Sequence, residues 1–159
     1  MIPRILKILI MVVTTVTLGY LAGMVTQTSV DTWYPTLNKP GFTPPNWAFP
    51  VAWSILYVLM GIAAGLVWSR MEYEEDNTKK ALKFFAIQFA LNLAWTCLFF
   101  GLRNPLLAFA EIIVLWLMIY ETYVQFTRVS RIAGYLFIPY ILWVSYALVL
   151  NGSIWWLNK

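Results

Sequence analysis

Three stretches of this sequence repeat aromatic and amide side chains at the spacing of one helix face. Trp53, Tyr57, Met60 and Ala64 follow an i, i+4, i+7, i+11 rhythm, and Gln88, Asn92, Trp95 and Phe99 form a second stripe. A third lines up Pro139, Trp143, Tyr146 or Ala147, and Leu150 or Asn151. One stripe alone is ordinary core packing. Three together suit a cavity in which a flat apolar molecule stacks on indoles and meets a few polar handles. Other chemistries lack their residues. With no histidine, the chain has no histidine-ligated haem, no Ser-His-Asp machinery and no imidazole proton switch. The single cysteine, Cys97, excludes an intramolecular disulfide and a cysteine-rich metal centre. No metal site and no bound cofactor are expected.

The elements that must carry these stripes follow from composition. Of 159 residues, 61% are hydrophobic and 11% charged, against about 25% charged in an ordinary soluble domain. A soluble fold of this length cannot hide so much apolar surface. A multidomain enzyme, a nucleic-acid-binding module and a disordered tail are excluded, and the net charge of +4 is scattered at the ends of apolar runs. The reading is an all-α integral membrane protein, a single domain over 1–159 with five transmembrane helices. These are expected at about residues 5–26, 47–68, 81–100, 105–126 and 132–151, each near the length that crosses a bilayer. The first run is too long for the apolar stretch of a signal peptide and no small-x-small cleavage site follows it, so it reads as a retained helix. Asn104-Pro105 reads as cap and first residue of the fourth helix, and Pro139 as a kink in the fifth.

Alternate connections carry unequal positive charge. Arg4, Lys7, Arg70, Lys79, Lys80, Lys83, Arg128 and Arg131 fall on one side, and Lys39, Arg103 and Lys159 on the other. This asymmetry predicts a cytoplasmic N-terminus in a bacterial cell membrane. Two small-residue signals, Gly19-x-x-x-Gly23 and Gly61-x-x-x-Gly65, predict close helix contacts, within the bundle or between copies. Glu111 sits about two turns inside the fourth helix, paired with Arg103 or an amide, or functional. The 72–76 acidic run reads as a solvated loop. The 27–46 connection is different: Pro35, Pro40, Pro44 and Pro45 alternate with Trp33, Tyr34 and Phe42. Proline fixes φ and lowers the entropy lost on ordering, so this loop should hold a shape and act as a lid.

These residues resemble the TspO/MBR family, the tryptophan-rich sensory proteins that include the mitochondrial translocator protein. The matching segments are Trp33-Tyr34 with Leu37-x-Lys39-Pro40-x-Phe42-x-Pro44-Pro45, and Trp53-x-x-Leu56-Tyr57-x-x-Met60-Gly61. Leu91-Asn92-x-x-Trp95-x-x-x-Phe99-Phe100-Gly101 and Pro139-Tyr140-x-x-Trp143-x-x-x-Ala147-x-x-Leu150-Asn151 follow in order. The resemblance implies a five-helix bundle, often a homodimer, with a ligand pocket opening under the first loop. It implies binding of porphyrins such as protoporphyrin IX, or of sterols and flat synthetic ligands. Trp53, Asn92, Trp143 and Ala147 match pocket residues and Trp33 and Tyr34 match the lid. Light-driven porphyrin breakdown by some bacterial members would make Trp53 and Trp143 catalytic. Two positions depart from the family pattern. Thr43 stands where a loop histidine is frequent, and no cation follows Tyr146 before Lys159.

The expected function is therefore a membrane sensor that binds tetrapyrroles. The macrocycle would stack on Trp53, Trp95 and Trp143, with Asn92 and Tyr57 as hydrogen-bond partners and its propionates meeting Lys39 or Arg103. A light-dependent porphyrin-degrading enzyme, and a transporter of tetrapyrroles or sterols, are the alternatives.

Overall fold

A segment in hydrocarbon must satisfy its backbone hydrogen bonds internally, so each apolar run closes on itself as a helix. The computed structural model describes residues 1–159. Its helices are α1 (Arg4–Thr32), α2 (Ala48–Trp68), α3 (Glu75–Thr96), α4 (Pro105–Val129) and α5 (Arg131–Asn158). All five are long and apolar enough to span a membrane. A π-turn, Cys97–Gly101, continues α3, and a 3₁₀ turn, Tyr34–Thr36, interrupts the first loop.

Three helices outrun the stretches expected from apolarity by six residues or more, and α4 by three, to Val129. α1 continues from 26 to Thr32, α3 begins at Glu75 instead of 81, and α5 continues from 151 to Asn158. The polar turns that extend α1 and α3 keep helical backbone geometry past the apolar run, whereas α5 continues through a mixed stretch that carries Ile154, Trp155, Trp156 and Leu157. The 29 residues of α1 make a rod about 43 Å long at 1.5 Å per residue, against a hydrocarbon core of about 30 Å. The acidic run is only partly a loop, because Glu75 and Asp76 occupy the first turn of α3, where negative charge suits the helix dipole. At the start of α4, Asn104 accepts a 3.0 Å bond from the Leu107 amide, with Pro105 as first helical residue. Pro139 lies inside α5, which runs through it as one helix.

Glycine sets the closest helix approach. A side chain on Gly61 or Gly65 would strike the backbone of Val12 or Ile8, so α1 and α2 touch main chain to main chain. Thr15 reinforces this seam by donating to the Tyr57 carbonyl at 2.8 Å. Gly19 accommodates the Tyr57 ring, while Gly23 faces open space. Three of the four expected glycines therefore serve packing within the chain. Farther from the loop end, Phe85, Phe126 and Phe137 interlock, with centroids 5.0–6.3 Å apart.

A polar chain crosses this apolar interior. The Tyr57 hydroxyl donates to Asn92 Oδ1 at 2.9 Å, Asn92 Nδ2 donates to Tyr140 at 2.8 Å, and Tyr140 donates to Gln88 Oε1 at 2.8 Å. It ties α2, α3 and α5 together with directional bonds that apolar packing cannot supply.

Substituting Gly65→Val should destabilise the detergent-solubilised protein by about 1–3 kcal/mol or more, the cost of overpacking a closed contact. Gly23→Ala should leave the melting temperature of the single chain unchanged. Thermal unfolding followed by circular dichroism checks both.

Candidate functional site: an aromatic cavity beneath the first loop

At the end of the bundle that carries the first loop, α2, α3 and α5 splay around a cavity of about 390 Å³, within the range of about 300–1,000 Å³ typical of small-molecule pockets. Each wall is aromatic for a local reason. α2 brings Phe49 and Trp53, and α5 brings Trp143, with Ala147 one turn later leaving room. From α3 come Trp95 and then Phe99 and Phe100, two consecutive rings on the π-turn that both reach the cavity. In this turn the Leu102 amide bonds the Cys97 carbonyl at 2.8 Å, five residues back.

The indoles are held in fixed attitudes. Trp53 stacks on Tyr57 at 5.7 Å and stands perpendicular to Trp143 at 6.4 Å. Trp95 stacks on Phe99 at 5.3 Å and donates its Nε1 proton to Asn151 Oδ1 at 2.9 Å. Asn151 in turn donates to the Pro105 carbonyl at 2.9 Å, joining α3, α5 and the start of α4. Trp143 Nε1 and the Tyr34 hydroxyl, both on lining residues, are buried without a hydrogen-bond partner. In an interior where unmet polar groups are costly, two such donors mark where a ligand's acceptors would bind.

The loop is a clamped lid. Tyr34 is 4% exposed, wedged against Phe49, Phe99 and Phe100, and Trp33 meets the edge of Phe99 at 5.6 Å. Lys39 lies over the Tyr34 ring and donates to the carbonyls of Tyr34 and Leu37 at 3.0 and 3.2 Å. Asn158, at the end of α5, grips Asn38 with two bonds, at 2.9 and 2.8 Å. Tyr146 donates to the Phe42 carbonyl, and the Thr43 hydroxyl folds back onto the Pro40 carbonyl at 2.7 Å.

Of the residues singled out from sequence, Tyr34, Trp53, Trp95, Phe99, Trp143 and Ala147 line the cavity together. Tyr57 and Asn92 lie beneath it, engaged in the polar chain under Trp53, and Asn92 is 2% exposed. Trp33 and Tyr146 brace the lid and its rim rather than the cavity wall. Lys39 is spent on loop carbonyls and Arg103 Nε on the Ser29 hydroxyl at 3.2 Å. Neither cation lines the cavity, whose one charged lining residue is Asp31. Arg103 holds a left-handed backbone, with φ of 53°. Glu111 pairs with neither Arg103 nor an amide, since both carboxylate oxygens are buried without a partner, and it too lies outside the cavity lining.

Sequence reasoning missed the α1 wall: Thr26, Gln27, Val30 and Asp31. Thr26 is the expected last residue of the first helix and 27–31 the expected loop, yet Thr26/Val30 and Gln27/Asp31 keep the i, i+4 spacing of a continuing helix, and Gln27 donates to Asp31 at 3.0 Å.

Five membrane-spanning helices around an aromatic cavity, roofed by a clamped proline-rich loop, define a multi-pass membrane protein. The TspO/MBR family model matches residues 10–157, and the chain belongs to that family. It is 44% identical over 130 residues to Protein CrtK of Rhodobacter capsulatus, covering 82% of this chain and 81% of that one. It is 39% identical over 140 residues to Tryptophan-rich protein TspO of Chlorobaculum tepidum, covering 88% of each. The human Translocator protein is 32% identical over 123 residues, 77% of this chain and 73% of its own.

Two outcomes test this geometry. Asn92→Ala strands the Tyr57 hydroxyl and removes a donor from Tyr140, which keeps its bond to Gln88. An unmet buried group costs about 1–3 kcal/mol, so thermal unfolding should show a marked loss of stability. Burial, and then the neighbouring Tyr146, pushes the Tyr34 hydroxyl from 10.0 up to about 12. The docked lid holds the neutral phenol, so its contribution is complete below pH 10 and is lost as pH rises through about 12. A tyrosinate absorbance titration of the protein, minus that of Tyr34→Phe, should show this late ionisation.

Proposed function

We propose that this protein is a membrane sensor that binds a tetrapyrrole in the cavity beneath the first loop. The carrying observation is the three-sided indole wall of Trp53, Trp95 and Trp143, with the unpartnered Trp143 Nε1 and Tyr34 hydroxyl on the same lining. A flat macrocycle stacks on such a wall, and its edge atoms accept from the two free donors. The propionates of a porphyrin such as protoporphyrin IX are the acceptors that meet these donors, held away from Asp31, the one charged residue on the lining. The fixed lid limits entry to thin ligands or requires the 33–43 segment to lift. No metal and no resident cofactor is needed for this role; the porphyrin is the ligand.

A second reading, light- and oxygen-dependent porphyrin breakdown, is favoured by one feature: the perpendicular Trp53–Trp143 pair at 6.4 Å, two electron-rich rings beside the bound macrocycle. Transport has weaker support, because coupled carriers pair intramembrane charges or break helices in repeated halves, and the lone candidate here, Glu111, is unpaired. The protein is proposed to sit with its N-terminus in the cytoplasm of a bacterial cell, on the strength of its basic connections. A homodimer is proposed through the exposed apolar face of α1, which includes Leu9, Val13, Tyr20 and Met24.

Protoporphyrin IX titrated in darkness should quench tryptophan fluorescence saturably. Trp53→Phe and Trp143→Phe should each weaken binding by about fivefold or more, the loss of an aromatic contact of about 0.5–1.5 kcal/mol with its associated burial. Light-dependent loss of the porphyrin absorbance, absent in both variants, would move the assignment to an enzyme. Quenching that never saturates, or that both variants leave intact, would overturn the porphyrin assignment.

A further inference from the structure

The opposite end of the bundle carries a second, chemically different recess. The start of α1, the end of α2 and the α4–α5 junction surround a groove of about 770 Å³ lined by Arg4, Lys7, Arg70 and Arg131, with Glu72 as its one acid. Lys7 is the telling residue. It is 7% exposed, and no side-chain hydrogen bond or ion pair meets its ammonium, which has only the Trp68 ring at 5.5 Å. Its stem packs into the bundle while the unpaired ammonium opens on the groove, where an anion can reach it. The three arginines are exposed around it, and only Arg70 is partly neutralised, by Glu74 at 3.1 Å. Ser130, at the same rim, accepts from the Ala133 amide, which leaves its hydroxyl proton free to donate.

General accumulation of basic residues at one membrane face does not account for this arrangement. Lys79, on the same end, pairs with Glu75 and stays outside the groove. The groove cations instead converge from three helices. Leu66, Val129 and Ile132 give the recess an apolar flank, so it presents cations beside a surface that suits hydrocarbon.

We propose that this groove binds a phosphate group, carried by an anionic membrane phospholipid. Arginine forks engage phosphate oxygens bidentately, Lys7 supplies the point charge at the base, and the acyl chains descend along the apolar flank. Basic recesses between transmembrane helices hold lipid headgroups by the same physics. This binding is independent of the aromatic cavity and needs no movement of the lid.

Native mass spectrometry of the detergent-solubilised full chain, titrated with phosphatidylglycerol or phosphatidylcholine, tests the proposal. Phosphatidylglycerol should be retained in preference, and Lys7→Gln, Arg4→Gln and Arg131→Gln should each lower its retention by about fivefold, the worth of one cation at a lipid surface. Lys80→Gln, a change at an exposed site outside the groove, should have no effect. The rim variants Arg4→Gln and Arg131→Gln keep the test decisive if Lys7→Gln fails to fold. Inorganic phosphate separates the sources. If it alone raises the melting temperature saturably, and Arg131→Gln abolishes the rise, the same site serves a free anion. Equal retention of both lipids with no effect of phosphate, or a lipid preference that survives Arg4→Gln/Arg131→Gln, would overturn the site.

Discussion

The hydrogen-bond chain Tyr57–Asn92–Tyr140–Gln88 is the constraint on which the rest of the structure depends. At membrane depth there is no water to satisfy an amide or a phenol, so these four side chains must face one another or not be there at all. Meeting that requirement fixes the rotation of α2, α3 and α5 about their own axes. Once Tyr57 and Tyr140 point inward, the residues one turn toward the loop, Trp53 and Trp143, must point inward as well. The aromatic cavity is thus the upper storey of a column whose lower storey is a closed polar network.

What opens the cavity is the departure from regular packing above that network. Below it, Phe85, Phe126 and Phe137 fill the space between helices. Above it, Ala147 takes up little room, the π-turn widens α3, and the indoles stand edge to face instead of interlocking. The lid closes the top because α5 ties its backbone down at two points, Asn158 at Asn38 and Tyr146 at Phe42. Stability and function are divided by depth: the glycine seam and the phenylalanine cluster hold the bundle, while the loop end keeps buried donors unspent.

Much of this was legible in the sequence because membrane helices obey few rules. Apolar length gave the five spans, and helical spacing put Trp53, Trp95, Phe99 and Trp143 on inward faces, where they line one cavity. The helix ends were not legible, because Gln27, Thr28 and Ser29 look like a loop and Glu75 like a solvated turn, although water-exposed turns extend a membrane helix at little cost. The α1 wall was lost with them. Spacing also could not tell a residue that faces a ligand from one that faces another side chain: Asn92 and Trp95 lie on one stripe, yet the amide is engaged below the cavity and the indole lines it. The fate of the long cations was equally hidden. Lys39 and Arg103 read as ligand anchors, but a flexible cation near loop carbonyls is drawn to them first.

The central claim is that a tetrapyrrole occupies the cavity and engages the free indole donor of Trp143. The most direct measurement is an indole N–H spectrum of the protein carrying ¹⁵N-labelled tryptophan, recorded in detergent as protoporphyrin IX is added in darkness. The account predicts that the Trp143 signal, assigned by Trp143→Phe, moves markedly as its donor gains an acceptor. The Trp116 signal, whose donor is already bonded to Ser145 at 2.8 Å outside the cavity, should stay in place. A Trp143 signal unmoved at saturation, while those of Trp155 and Trp156 at the surface shift, would contradict it.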